Sequence, residues 1–168
     1  IAFSDSKSYS QTLRNSQIVF ASIGTTQSKV KGNKESYRKI DFDIIYNIAK
    51  ACKKSNIENF SFVSSSGANI KSNNFYLNLK GEIENSILNL NLSSTSVFRP
   101  SLLLGKRKEK RYGEKIAQLI MPFLAFLMPS KYKPIRAALV AKSMVNISKS
   151  IEPGFKIYHY KEIIKESK

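Results

Sequence analysis

The chain has little with which to form a disulfide or hold a transition metal: one cysteine, Cys52, and one histidine, His159, in 168 residues. A lone thiol excludes an internal disulfide and fits a reducing compartment, so a cytoplasmic protein is expected. One sulfur and one imidazole cannot assemble the usual zinc ligand sets, and no metal site is expected. Cys52 falls on a helix face where packing is its expected role, and His159 reads as structural. Long apolar runs are missing too. The most apolar stretch, Ile116 to Met128, has 13 residues and contains Pro122, whereas a bilayer span needs about 20. It reads as a buried or interfacial helix kinked at the proline, with weak peripheral contact to a membrane surface as a further option. No basic leader with an apolar core and cleavage site is present, and the first residue is Ile1 rather than methionine.

Acidic residues are scarce as well: 12 Asp and Glu face 28 Lys and Arg, a net charge of +16. Such a surface attracts phosphate or an anionic membrane nonspecifically. Lysines outnumber arginines 22 to 6 and are scattered among Asn, Ile and Ser. With no aromatic-basic platform or recognition-helix motif, specific nucleic-acid binding is not expected.

What is present is a core and an alternation. A chain of this length with 42% hydrophobic residues can bury one substantial core, and no repeat or Pro/Gly-rich linker divides it, so residues 1–168 are read as one domain. Gln17 to Ile23 is an apolar run ending at Gly24-Thr25-Thr26, a strand and turn. A polar stretch, residues 28–39, reads as a loop. From Asp41 to Lys54, Ile44, Ile45, Ile48, Ala51 and Cys52 recur at helical spacing behind Asp41 as N-cap. Asn59 to Ser65 is a second strand, followed after Asn74 by helical period through Leu79, Ile83, Ile87 and Leu90, and Thr95 to Arg99 is a third strand ending at Pro100. Further on come a charge run from Lys106 to Arg111, read as a solvated loop, a helix over residues 137–148, a strand over residues 155–160 and a terminal helix. Strands alternating with helices imply an α/β fold: a Rossmann-like parallel sheet with helices on both faces. Ligands in such sheets gather at the strand carboxyl ends, where Gly24, Ser65 and Arg99-Pro100 all fall.

The chemistry-bearing pattern is the run Ser64, Ser65, Ser66, followed by Tyr76 and Lys80. A phenol with an ordinary pKa of about 10 is a poor acid or base at neutral pH. Lys80, one helical turn beyond Tyr76 and on the same face, could stabilise a phenolate, while a serine hydroxyl polarises a substrate oxygen. Spacing alone does not establish this, since Tyr46 and Lys50 share it. That pair lacks a serine-ended strand upstream, and Tyr46 reads as an ordinary helix residue.

The ordered segments IGTT, FVSSSGA, NFYLNLKGEIE, FRPSLLLGKRKEKRYGE and YKPI resemble atypical short-chain dehydrogenase/reductases of the Tat-interacting-protein-like group across nearly the whole chain. The resemblance implies NAD(P)-dependent oxidoreductase chemistry on a carbonyl or alcohol substrate. Tyr76 would be the general acid or base, and Lys80 would tune it while contacting the nicotinamide ribose. Ser65 would polarise the substrate, with Ser66 in reserve. Gly24 and Thr25 would lie along the NADP or NAD cofactor, and the backbone of Pro100, Ser101 and Leu102 would approach its carboxamide. Arg99 is either part of that approach or a structural anchor. A nucleotide-sensing or protein-interaction module without turnover is the alternative.

The sequence departs from the family at its front. No G-x-x-G-x-x-G occurs, although family members hold the cofactor pyrophosphate at such a turn. By the family pattern Ile1 falls after the third strand, so the first three strands are expected to be missing. A fragment of a longer reading frame, favoured by the non-methionine start, competes with a genuine short form. A fragment would expose an apolar strand edge and bind dinucleotide poorly.

Overall fold

The computed structural model describes residues 6–105 and 129–168. The charge run from Lys106, the Arg107 to Glu114 segment and the Pro122 helix lie outside the described residues. Among the described residues, a parallel sheet carries β1 (Ile18–Ala21), β2 (Asn59–Val63), β3 (Ser94–Phe98) and β6 (Gly154–Tyr158) in the order β1-β2-β3-β6. Two short strands, β4 (Leu103–Leu104) and β5 (Ile135–Arg136), pair in parallel beside it. The helices are α1 (Ser6–Thr12), α2 (Lys34–Arg38), α3 (Ile44–Lys54), α4 (Phe75–Leu88), α5 (Ala137–Ser148) and α6 (Tyr160–Glu166). None of them is long and apolar enough to cross a membrane.

Side chains alternate across a strand, and the register sets two faces. Ala21, Phe62 and Val97 stand in line and pack with Phe60 against Ile45 and Ile48 of α3 and Ile83 and Ile87 of α4. One residue on, Val63, Phe98 and Tyr158 align on the opposite face and pack with Ile135, Val140, Met144 and Ile163. Helices therefore cover both faces, as the alternating pattern implied. The second face also buries polar side chains. Asn59 Nδ2 donates to Ser94 Oγ at 2.8 Å and Ser96 Oγ at 3.3 Å, Ser61 Oγ donates to Asn59 Oδ1 at 2.7 Å, and Ser94 Oγ donates to the Glu152 carbonyl at 2.7 Å. Each of these four side chains has a partner, which is the condition for burying it.

The polar stretch before Asp41 keeps its expected loop only to Asn33; from Lys34 it is helical. Asn33 caps α2 by accepting the Ser36 N–H at 2.8 Å, Tyr37 is buried, and a π-helical turn, Lys39–Asp43, carries the chain into α3. Asp41 is thus no N-cap: the helix begins seven residues earlier at Lys34, and the extra residue of the π turn breaks the single helical period used to place the start. Both helices of the first face stop at an asparagine with positive φ, Asn56 (51°) after α3 and Asn91 (49°) after α4. That conformation suits asparagine better than most side chains, and it turns the chain into β2 and β3.

Gly81 fixes the loop after β2 against α4. A Cβ there would stand 2.2 Å from the Ile70 backbone nitrogen and 2.5 Å from the Asn69 carbonyl carbon, so no side chain fits. The same loop is held by the Asn69 N–H to the Leu77 carbonyl at 3.0 Å and by Asn78 Nδ2 to the Ile70 carbonyl at 2.5 Å. Gly81→Ala is expected to lower unfolding free energy by about 1–3 kcal/mol through overpacking against backbone, measured as a shift in the urea midpoint. Cys52 is buried in the core, and desolvation pushes its thiol up to about 12. A thiol reagent at pH 8 is expected to leave the native protein unlabelled and to react once denaturant is added, because the thiolate is the reacting species.

Candidate active site

A cavity of about 780 Å³ opens at the carboxyl ends of β1, β2 and β3. One wall is the loop after β1, including Gly24 and Thr25. The opposite wall is Pro100, Ser101 and Leu102 after β3, and α4 supplies Tyr76 and Lys80. Asn74 sets the start of α4 by accepting the Leu77 N–H at 3.1 Å. Tyr76 and Lys80 then share a helix face, with Lys80 Nζ 5.8 Å from the centre of the Tyr76 ring. Tyr37 stands edge-on to Tyr76, ring centres 6.3 Å apart. Tyr46 does not line the cavity: it packs beside Phe42 at the core margin, with Lys50 Nζ 4.9 Å from its ring centre.

The cavity's inner wall holds a residue that the sequence pattern assigned to capping. Asp41 Oδ1 lies 2.8 Å from Lys80 Nζ, with the two side chains 2% and 4% exposed. Its other oxygen accepts the Thr25 N–H at 2.7 Å, and the Tyr37 hydroxyl donates to the Thr25 carbonyl at 3.2 Å. Asp41 therefore ties the loop after β1 to α4. Gly24 permits the approach, since a Cβ there would stand 3.3 Å from Asp41 Oδ1. An acidic residue in the first turn of a helix reads as a cap unless the buried Tyr37 and Phe42 on either side are noticed. Those two aromatics were the available signal that this segment faces inward.

The serine that lines the cavity is Ser64, while Ser65 and Ser66 are not among its lining residues. Strand alternation gives Ser64 that position. Ser64 continues β2, its N–H donating to the Phe98 carbonyl at 2.7 Å, on the same face as Phe60 and Phe62 and therefore toward α4. Ser65 instead offers its carbonyl to the Ala68 N–H at 3.0 Å, and the Ser66 N–H donates to the Pro100 carbonyl at 3.0 Å.

Ser64 is itself engaged. Its hydroxyl donates to Glu84 Oε1, and Arg99 clamps the same carboxylate, Nε to Oε1 at 2.9 Å and Nη2 to Oε2. Glu84 is 6% and Arg99 19% exposed. This pair pins α4 to the end of β3, and of the two readings of Arg99 the geometry supplies an anchor.

No protein-family model matches the chain. Solved structures share its fold. UDP-N-acetylglucosamine 4-epimerase from Bacillus cereus superposes with a TM-score of 0.69 at 17% identity, covering 98% of this chain and 68% of the other. MoeE5 in complex with UDP-glucose and NAD gives 0.66 at 12%, covering 97% and 66%. The shared fold is a Rossmann-like α/β fold, a parallel sheet with helices on both faces.

Sequence relatives narrow this. The mitochondrial protein FMP52 of Meyerozyma guilliermondii is 33% identical over 163 residues, 92% of this chain and 69% of the relative. Those of Candida albicans and Debaryomyces hansenii are 36% and 37% identical. The chain belongs to the FMP52 family. It spans 66% of the Candida albicans protein and 58% of the Debaryomyces hansenii one. All three relatives are named mitochondrial, which overturns the expectation of a cytoplasmic protein. A low cysteine count reports on redox conditions and carries no address.

Glu84→Ala would leave the Arg99 guanidinium and the Ser64 hydroxyl without their partner. The expected loss is about 3–5 kcal/mol, as for one half of a buried pair, read as a fall in thermal midpoint.

Proposed function

We propose that this chain carries the nicotinamide-facing and catalytic part of an NAD(P)-dependent oxidoreductase acting on a carbonyl or alcohol, in a mitochondrial setting. The observation that carries the reading is the convergence of Tyr76, Lys80 and Ser64 with two backbone loops on one cavity at the strand carboxyl ends. Ligands of parallel α/β sheets bind at this location. It also accords with the resemblance to the Tat-interacting-protein-like group.

The residues present fit one end of a dinucleotide. Gly24 leaves an open backbone wall that a side chain would crowd, with Thr25 beside it and Pro100, Ser101 and Leu102 opposite. Lys80 is placed to meet a ribose hydroxyl. The pyrophosphate end has no such holder among the described residues, which contain no glycine-rich turn opening a helix. Bound there, the cofactor supplies or accepts a hydride. Tyr76 donates the proton to a carbonyl oxygen, or takes it from an alcohol, and its phenol is held by Tyr37 on one side and α4 on the other. Ser64 faces the substrate side as the polarising hydroxyl, with Ser65 in reserve.

One observation favours a second reading. The Ser64 proton is committed to Glu84 and the Lys80 ammonium to Asp41, an internally satisfied arrangement that suits a nucleotide-sensing module which binds without turnover. Cofactor titration beside an assay with aldehydes, ketones and quinones separates the two, since a sensor binds and does not turn over. In the full-length protein, Tyr76→Phe is expected to reduce turnover by at least about a hundredfold, the usual scale of general acid–base catalysis, with cofactor affinity nearly unchanged. Wild-type turnover in that variant would remove Tyr76 from the chemistry.

A further inference from the structure

The charges around the cavity are arranged in pairs. Lys80 Nζ is 2.8 Å from Asp41 Oδ1 in a wall almost wholly shielded from water. Behind Ser64, Glu84 is clamped by Arg99. The remaining charged residue that lines the cavity, Lys29, is exposed, where solvent and salt weaken its field. Among the described residues, the inner wall thus carries one buried cation and one buried anion, in contact.

This bears on which substrates the wall can accept. A carboxylate entering beside Tyr76 loses its hydration, a cost of several kcal/mol for an ion moved into a dry site. An uncompensated lysine would return that cost. A lysine already in contact with a carboxylate presents only a dipole, and the Asp41 charge opposes the newcomer at nearly the same range. An uncharged aldehyde, ketone or alcohol loses far less on entry and needs no counter-ion.

The position of Asp41 is held by more than the ion pair. The π-helical turn Lys39–Asp43 sets it facing the cavity, and such turns recur at functional sites. Its second oxygen is occupied by the Thr25 N–H, so the carboxylate cannot swing away from Lys80 without releasing the loop after β1.

We infer that Asp41 determines the charge class of the substrate: by neutralising Lys80 it makes the site selective for uncharged carbonyl compounds and alcohols over carboxylate-bearing ones. This inference rests on the oxidoreductase reading for its substrate chemistry. Asp41 touches neither reacting atom in that scheme and acts through Lys80, as a positioning residue.

The test compares benzaldehyde with 4-carboxybenzaldehyde, which share ring and aldehyde and differ by one carboxylate, in the full-length protein with saturating cofactor. The ratio of their kcat/KM values does not depend on how much of a preparation is folded. The native ratio is expected to favour benzaldehyde by about tenfold or more, equivalent to about 1.4 kcal/mol. Asp41→Asn keeps an acceptor for Thr25 but removes the charge, and should reduce that ratio by about fivefold or more; Asp41→Glu, which keeps the charge, should retain more of it. A native preference for the carboxylate, or an unchanged ratio in Asp41→Asn, would overturn the inference. A purely structural role for Asp41 lowers both rates together and leaves the ratio where it was.

Calorimetric titration of benzamide and benzoate into the cofactor-loaded protein is a second readout that needs no turnover. Benzamide is expected to bind the native protein more tightly, and benzoate to gain on it in Asp41→Asn. Equal native affinities would count against the inference. If neither aldehyde is turned over but the binding preference holds, the oxidoreductase reading fails and the charge role of Asp41 stands. If Asp41→Asn does not fold, the native ratio and the native affinities still decide.

Discussion

The contact between Asp41 and Lys80 is the constraint on which the site depends. Two opposite charges in a wall shielded from water are tolerated only together, since either one alone would be a buried ion without a counter-charge. Their pairing therefore fixes relative positions. Asp41 comes from a π turn between two helices, Lys80 from the second turn of α4, and through the Thr25 N–H the same carboxylate reaches the loop after β1. Three segments distant in sequence are set by one side chain. The tyrosines follow: Tyr37 lies one turn before Asp41 and donates to the Thr25 carbonyl, and its ring edge meets Tyr76.

A second buried pair does similar work one turn further along α4. Glu84 binds both Arg99 and Ser64, so the helix is tied to the ends of β2 and β3. Between the two pairs, Gly81 lets the loop after β2 lie directly on the helix backbone. The three features lie within one stretch of α4: Lys80 toward the cavity, Gly81 under the loop, Glu84 toward the strands. Helical geometry explains the order: Gly81 points about 100° away from Lys80, whereas Glu84 returns to nearly the same face one turn further along. The segment from Lys80 to Glu84 is specified by contacts on several sides and is largely buried.

Much of the architecture was legible in the sequence. Strand runs ending at Gly24, at the serines and at Arg99-Pro100 placed the cavity, and the helix over residues 137–148 appears with those bounds. What was not legible has physical causes. The helix from Lys34 was hidden because its residues are polar and its period is broken by the π turn. Asp41 resembled a cap because an acidic residue near a helix start has that use far more often than it has a buried lysine opposite it. Which serine of the run lines the cavity, Ser64, was not legible because residue spacing does not reveal where a strand stops alternating. Asn59 and its serine partners form a satisfied polar layer inside the second face, which an apolar strand pattern does not reveal.

The pairing of Lys80 alters what the tyrosine can gain from it. An isolated ammonium at the 5.8 Å that separates Lys80 Nζ from the Tyr76 ring centre, at an effective dielectric of about 20, would attract a charge centred on the ring by roughly 3 kcal/mol. With a carboxylate in contact with that ammonium, much of the attraction is cancelled, because the phenolate meets a dipole in place of a charge. Yet the carboxylate is also what allows an ammonium to reside in a wall closed to water. The site therefore holds a lysine at the price of part of its field. The lysine's remaining contribution is directional, as a three-proton donor with one proton engaged by Asp41 and others available to oxygens arriving in the cavity.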